Sequence, residues 1–81
     1  MENRVAILGI IAEDTQMADR INDILHDYNE YIVGRMGVPY RDKGIFVISV
    51  IMDAPNDAIS AASGKLGMLE GVTAKAVYSK K

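Results

Sequence analysis

Two strand-length runs, Val5–Ile11 and Ile45–Met52, are apolar at nearly every position, with Ser49 the one polar interruption. Both are rich in β-branched residues and too short for ordinary helices, so they read as strands. A strand that packs on one face and meets water on the other alternates apolar with polar. These two do not alternate, so both faces of each demand cover. The chain has 81 residues with which to provide it. A domain of that size buries only roughly 60% of the surface its unfolded chain exposes. Association with further copies is a usual supplement near this length. The simplest expectation is one domain spanning residues 1–81, assembled as a homo-oligomer, a dimer or a tetramer.

The segments between and around these runs fix the rest of the architecture. After Val5–Ile11, Ala12-Glu13-Asp14-Thr15 closes the strand, and Asp14 or Thr15 can accept hydrogen bonds from the free N–H groups of a following helix. Over 16–30, Met17, Ile21, Ile24, Leu25 and Tyr28 recur at spacings of three and four and form one apolar stripe. Asp23 and Asp27 are like charges four apart on the polar side, so this helix depends on its packed face. Residues 32–53 read as a hairpin turning at Asp42-Lys43-Gly44, with Gly44 supplying the left-handed backbone of a short loop. Pro39 in its first strand suits an edge position. Asp53-Ala54-Pro55-Asn56-Asp57 then breaks the pattern, and Asn56 or Asp57 can cap a second helix starting near Ala58. Its stripe is Ile59, Ala62, Leu66 and Leu69. Gly64 and Gly67 within it cost about 1 kcal/mol each relative to Ala, which predicts close packing of the helix backbone on the sheet or the first helix. Gly71 ends the helix in a left-handed conformation, and Val72–Tyr78 forms a last strand.

The order strand, helix, strand, strand, helix, strand is that of ferredoxin-like α+β domains. Right-handed crossovers put both helices on one face of a four-stranded antiparallel sheet. The two apolar runs become the central strands, and the second face of the sheet is left without a layer of this chain. That bare apolar face is the sequence's argument for an oligomer.

Composition excludes several chemistries. There is no cysteine, hence no disulfide, thiolate metal site or thiol nucleophile. Net charge is −2, with 9 basic against 11 acidic residues, which argues against a direct grip on nucleic acid. No apolar run reaches the roughly 18 residues needed to span a bilayer. A charged segment with Glu13 and Asp14 follows the first apolar run where a secretory signal would need small residues, so a cytoplasmic protein is expected. No phosphate loop, dinucleotide fingerprint or catalytic triad is present, and Glu13 and Asp14 lack a demonstrable cleft, so no enzyme and no cofactor are expected.

The candidate binding residues lie in and beside the hairpin. Arg35 and Arg41 could hold a carboxylate or phosphate, with Tyr40 beside them around the Gly37-Val38-Pro39 step. Gly34 and Gly37 mark a place of close approach by backbone or ligand. His26, the single histidine, stands one step off the apolar stripe of the first helix and could reach solvent or a neighbouring subunit. Alone it cannot build a metal site.

The run HDYNEYIVGRMGVPYRDKGIFVISVIMDAP, followed by GKLGMLEGV, resembles the small family described as regulators of the iron-only (FeFe) hydrogenase system, over nearly the whole chain from Val5 to about Ser79. The resemblance implies an ACT-like version of the ferredoxin-like fold, similar to the ligand-sensing domain of the nickel-responsive transcriptional repressor. In that overlay one nickel ligand falls on His26, while the other three fall on Gly37, Pro39 and Ile45, whose side chains cannot ligate. No metal is therefore expected. The repressor's DNA-binding domain has no counterpart before the first strand. The resemblance implies a small regulatory module that binds a small molecule or a regulatory protein at a subunit interface near the hairpin. Two other functions remain open: a structural interaction domain without ligand, and transcriptional control exerted through a partner.

Overall fold

The computed structural model describes residues 2–81. Six principal elements follow in the expected order: β1 (Asn3–Ala12), α1 (Ala18–Asp27), β2 (Ile32–Tyr40), β3 (Ile45–Pro55), α2 (Asn56–Gly67) and β4 (Val72–Tyr78). Single 3-10 turns at Thr15–Met17, Asn29–Tyr31 and Arg41–Lys43 link them. The sheet is antiparallel throughout, in the order β2-β3-β1-β4, so the two apolar runs occupy its centre. The ferredoxin-like βαββαβ arrangement is confirmed.

Both helices cover the same face. Ala6, Leu8, Ile10 and Ala12 of β1 and Ile48, Val50, Met52 and Ala54 of β3 point into the core, each at most 1% exposed. Ile21 and Leu25 of α1 and Ile59, Ala62 and Leu66 of α2 close over them. Met17, Ile24, Tyr28 and Leu69 pack against this core while partly exposed, so both stripes read from spacing face inward. No polar or charged side chain among the described residues is buried, so burial of apolar surface dominates this core.

Several local expectations hold and others are corrected. Asp14 does cap, its carboxylate accepting from the N–H of Gln16 at 2.9 Å, but it caps the 3-10 turn, and α1 starts only at Ala18. Gly44 (φ +66°) and Gly71 (φ +73°) adopt the left-handed backbone, but Gly71 does not end the second helix: α2 stops at Gly67, and Gly71 lies in the turn that leads into β4. The second helix starts two residues earlier than expected, and neither Asn56 nor Asp57 caps it. Pro55 stands at the cap, where it offers no side-chain hydrogen bond. Asn56 instead accepts from Arg4 at 3.5 Å. The expected burial of Gly64 and Gly67 fails as well: both are exposed, and a Cβ built on either meets nothing within 4 Å. The small-residue spacing on α2 lies on its outer surface, which spacing alone could not reveal.

Candidate functional site

The β2–β3 hairpin was singled out for its glycines and arginines. Gly37 faces the helix side, where a Cβ would come within 3.3 Å of the Phe46 ring, so the glycine makes room for a side chain of its own sheet. At Gly34 a Cβ meets nothing within 4 Å. A register shift between Ile32 and Gly34 leaves Val33 outside the ladder at 69% exposure.

The four candidate side chains are dispersed. Arg35 lies opposite the buried Val50 and so projects on the helix side of β2, where its guanidinium donates to Asn22 Oδ1 of α1. Tyr40 sits at the last position of the hairpin ladder on the opposite face, and Arg41 follows in the exposed turn. His26 is exposed in the last turn of α1. Arg41 stands six positions beyond Arg35, about 20 Å away at the rise of an extended chain. One small anion cannot bridge both within a single chain. Tyr40 and Arg41 are brought together at the hairpin tip, while Arg35 and His26 belong to the helix side.

The sheet face turned away from the helices is the largest functional feature. Eight of the ten exposed large apolar residues lie on it: Val5, Ile7, Ile11, Met36, Val38, Tyr40, Ile51 and Val77. Scattered apolar residues are ordinary on a protein surface, but a contiguous sheet of them is not. Across its middle runs a lower row, with Gly9 opposite Ser49 in the two central strands. A Cβ on Gly9 would meet only the Lys75 carbonyl oxygen, at 3.9 Å, so nothing in this chain fills the notch. Lys75 beside Gly9 is the cation of the face.

Two concavities mark the surface, the second of them where β1 and β4 border the open face. One, of about 330 Å³, is lined by Asp14, Met17, Glu70 and Gly71 where the loop after β1 meets the loop before β4. The backbone joins these loops, Glu13 N–H donating to the Gly71 carbonyl at 2.8 Å. The other, of about 180 Å³, is an apolar groove formed by Val5, Ala6, Ile7, Val77, Tyr78 and Ser79. None of the four candidate residues lines either. Glu70 meets Asp14 there across 56 residues of sequence, a pairing that local spacing does not announce. Among the described residues no group of three His, Cys, Asp or Glu side chains could hold a metal ion. No described helix is long and apolar enough to cross a membrane.

Two cations tie elements together on the surface. Arg4 stacks 4.4 Å over the Tyr78 ring and donates to the Ser79 carbonyl and to Asn56, joining the start of β1 to the end of β4 and the start of α2. The Lys65 ammonium lies 5.3 Å from the Tyr28 ring, joining α2 to the end of α1. The hydrogen bond to Tyr28, then the charge of its phenolate, hold the Lys65 pKa above its usual 10.5.

Comparison with known proteins agrees with this architecture. The structure closely matches that of an uncharacterized protein, TM1266, from Thermotoga maritima, at 41% identity and a TM-score of 0.91, covering 98% of this chain and 100% of that one. No curated protein matches the sequence. A family profile described as "TM1266-like: Iron-only hydrogenase system regulator, putative" matches residues 4–76, and that description is of a regulator and not of an enzyme. The match runs from the first strand to the last, so this chain belongs to the TM1266-like family.

Proposed function

We propose that the protein is a small cytoplasmic regulatory module of an iron-only hydrogenase system. It works as a homo-oligomer, and a small molecule or a regulatory protein binds at a subunit interface beside the hairpin. The observation that carries this reading is the open sheet face. Its central residues Ile7, Ile11 and Ile51 are 40–44% exposed in the single chain, although they sit in the two middle strands of the sheet. Two such faces packed about 10 Å apart form a sandwich core, which removes both apolar surfaces from water. Tyr40 and Arg41 stand at the hairpin end of that face, where one apolar ring and one cation suit a ligand or partner held at its rim. Arg35 serves α1 through Asn22 and has a positioning role. Regulation follows if the ligand binds one assembly state better than another, because only differential affinity shifts an equilibrium.

The test is the mass in solution. Light scattering at micromolar concentration gives a multiple of the 8.8 kDa chain, and Ile7→Lys lowers it while the far-UV circular dichroism is kept. A monomer in the unsubstituted protein overturns the reading. A thermal-shift screen of amino acids, nucleotides and regulatory peptides then reports any ligand. Arg41→Ala abolishes the response and Arg35→Ala leaves most of it, whereas the reverse order would move the site to the helix side.

A further inference from the structure

The two edges of the sheet differ. β2 carries a bulge that leaves Val33 outside the ladder, and Pro39 has no N–H to offer. Both features keep an edge strand from accepting another strand. β4 has neither. Its free groups follow from the ladder. Ser79 N–H donates to the Val5 carbonyl at 2.9 Å, and Glu13 N–H donates to the Gly71 carbonyl at 2.8 Å. Antiparallel bonding alternates, so Gly71, Thr73, Lys75, Val77 and Ser79 turn their backbone groups toward β1. Ala74, Ala76 and Tyr78 therefore aim N–H and C=O outward along the free edge. The outward N–H of Val72 is already taken by the Leu69 carbonyl, at 3.2 Å.

The layer above this edge is equally bare. Lys65, beside Tyr28, marks the flank of α2 that faces α1. At 100° per residue the opposite flank carries Asn56, Ser60, Ser63 and Gly67, while Gly64 stands on the outer side of the helix, away from the buried Ile59, Ala62 and Leu66. That flank lies on the β4 side, because Arg4 reaches Asn56 while stacked on Tyr78. A Cβ on Gly67 would meet nothing within 4 Å, so the flank is open there.

We propose that the β4 edge, with this flank of α2 above it, takes a second copy of the same chain, β4 running antiparallel to β4 about a two-fold axis. The free groups and the charges select one register. With Ala76 opposite the partner's Ala76, Ala74 lies opposite the partner's Tyr78, and about six backbone hydrogen bonds form, two for each bonded pair. Lys75 then lies opposite the partner's Val77. A shift that centres the axis on Lys75 would set two ammonium groups against each other. A shift to Ala74 would call on the Val72 N–H, which is already used. A specific dimer buries at least about 1,000 Å² over both chains, which calls for the helix flank as well as the 7-residue strand. A second copy fits better than a foreign extended peptide, since a lone peptide strand would cover the edge and leave the helix flank bare. The dimer joins two open faces into one eight-stranded surface, so face-to-face packing of two dimers would give a tetramer.

Ala76→Pro is the decisive variant. It removes an outward N–H and none of the N–H groups that bond to β1, so the ladder to β1 keeps its donors while the edge loses one. The expected result is an unchanged circular dichroism spectrum with the mass halved; an unchanged mass overturns the proposal. A second measurement decides even where proline disturbs the strand. The chain has no cysteine, so one introduced thiol reports alone. In the proposed register the partner's Val77 is a diagonal neighbour at about 8 Å. Val77→Cys, in an Ile7→Lys background that spoils the open face, gives a covalent dimer with a short bis-maleimide, and Val33→Cys at the other edge does not. Failure of the first to cross-link, or equal cross-linking of both, overturns the proposal. Ile7→Lys reports on the open face and Ala76→Pro on the edge, so the two readings fail separately.

Discussion

Gly64→Ala tests the outer surface of α2, where the sequence predicts burial. If Gly64 were pressed against the sheet, a methyl group there would displace a neighbour and destabilise the fold. In the structure the residue is exposed within α2, its φ is negative, and an added Cβ meets nothing within 4 Å. Only the backbone term then remains. Alanine is favoured over glycine in a helix interior by about 0.8–1.0 kcal/mol, largely because the unfolded chain has fewer conformations to lose. A chain of 81 residues has a total stability of roughly 4–12 kcal/mol at the usual value per residue, so the gain is a visible fraction. In urea, with a slope of about 2 kcal/mol per molar, the midpoint rises by about 0.5 M. In a thermal melt the rise is about 4–8 °C. Denaturation is best followed at the lowest practical protein concentration and again at a tenfold higher one. Gly64 stands on the side of α2 away from the sheet and off the proposed contact between copies, so the gain is the same in both samples. A lower midpoint in the dilute sample would refute the reasoning, since it would require an atom of the same chain where the structure shows open space.

Two further outcomes follow from local geometry. Gly44→Ala, at φ +66°, destabilises the hairpin turn by about 1–2 kcal/mol, while Gly44→Asn costs less because asparagine tolerates that backbone; equal losses in urea titrations would contradict the left-handed turn. Lys65 titrates above 10.5 in the folded protein, and Tyr28→Phe returns it toward the ordinary value, read from the Nζ resonance by NMR. Because the folded pKa is raised, this contact stabilises fully below the unfolded pKa and is lost as pH climbs through the folded one. The effect is therefore confined to strongly alkaline solution.

In the proposed function the open face and the hairpin play different parts. The face offers area without chemical detail, which suits assembly. The hairpin tip offers Tyr40 and Arg41 at the margin of that area, where the proposed ligand would act through its effect on packing. The loop concavity beside Asp14 and Glu70 is acidic and lies apart from both.

Much of this was legible in the residues. Periodicity alone placed Met17, Ile21, Leu25, Ile59, Ala62 and Leu66 on inward helix faces, because a 3.6-residue repeat reports which side of an element is dry. The absence of alternation in Val5–Ile11 and Ile45–Met52 located the bare sheet face, and the turn glycines Gly44 and Gly71 announced their own backbone. Contacts between segments distant in sequence were decided only by the tertiary structure. It brought the Phe46 ring over Gly37, assigned Arg35 to Asn22, parted Arg35 from Arg41, and gave Asn56 to Arg4 in place of a helix cap. It also turned Gly64 and Gly67 outward, where the spacing of small residues had suggested burial. A sequence pattern records how often an element returns to the same side. Which neighbour stands on that side depends on strand order, register and the rotation of each helix on the sheet, and these are fixed only when all the elements pack together.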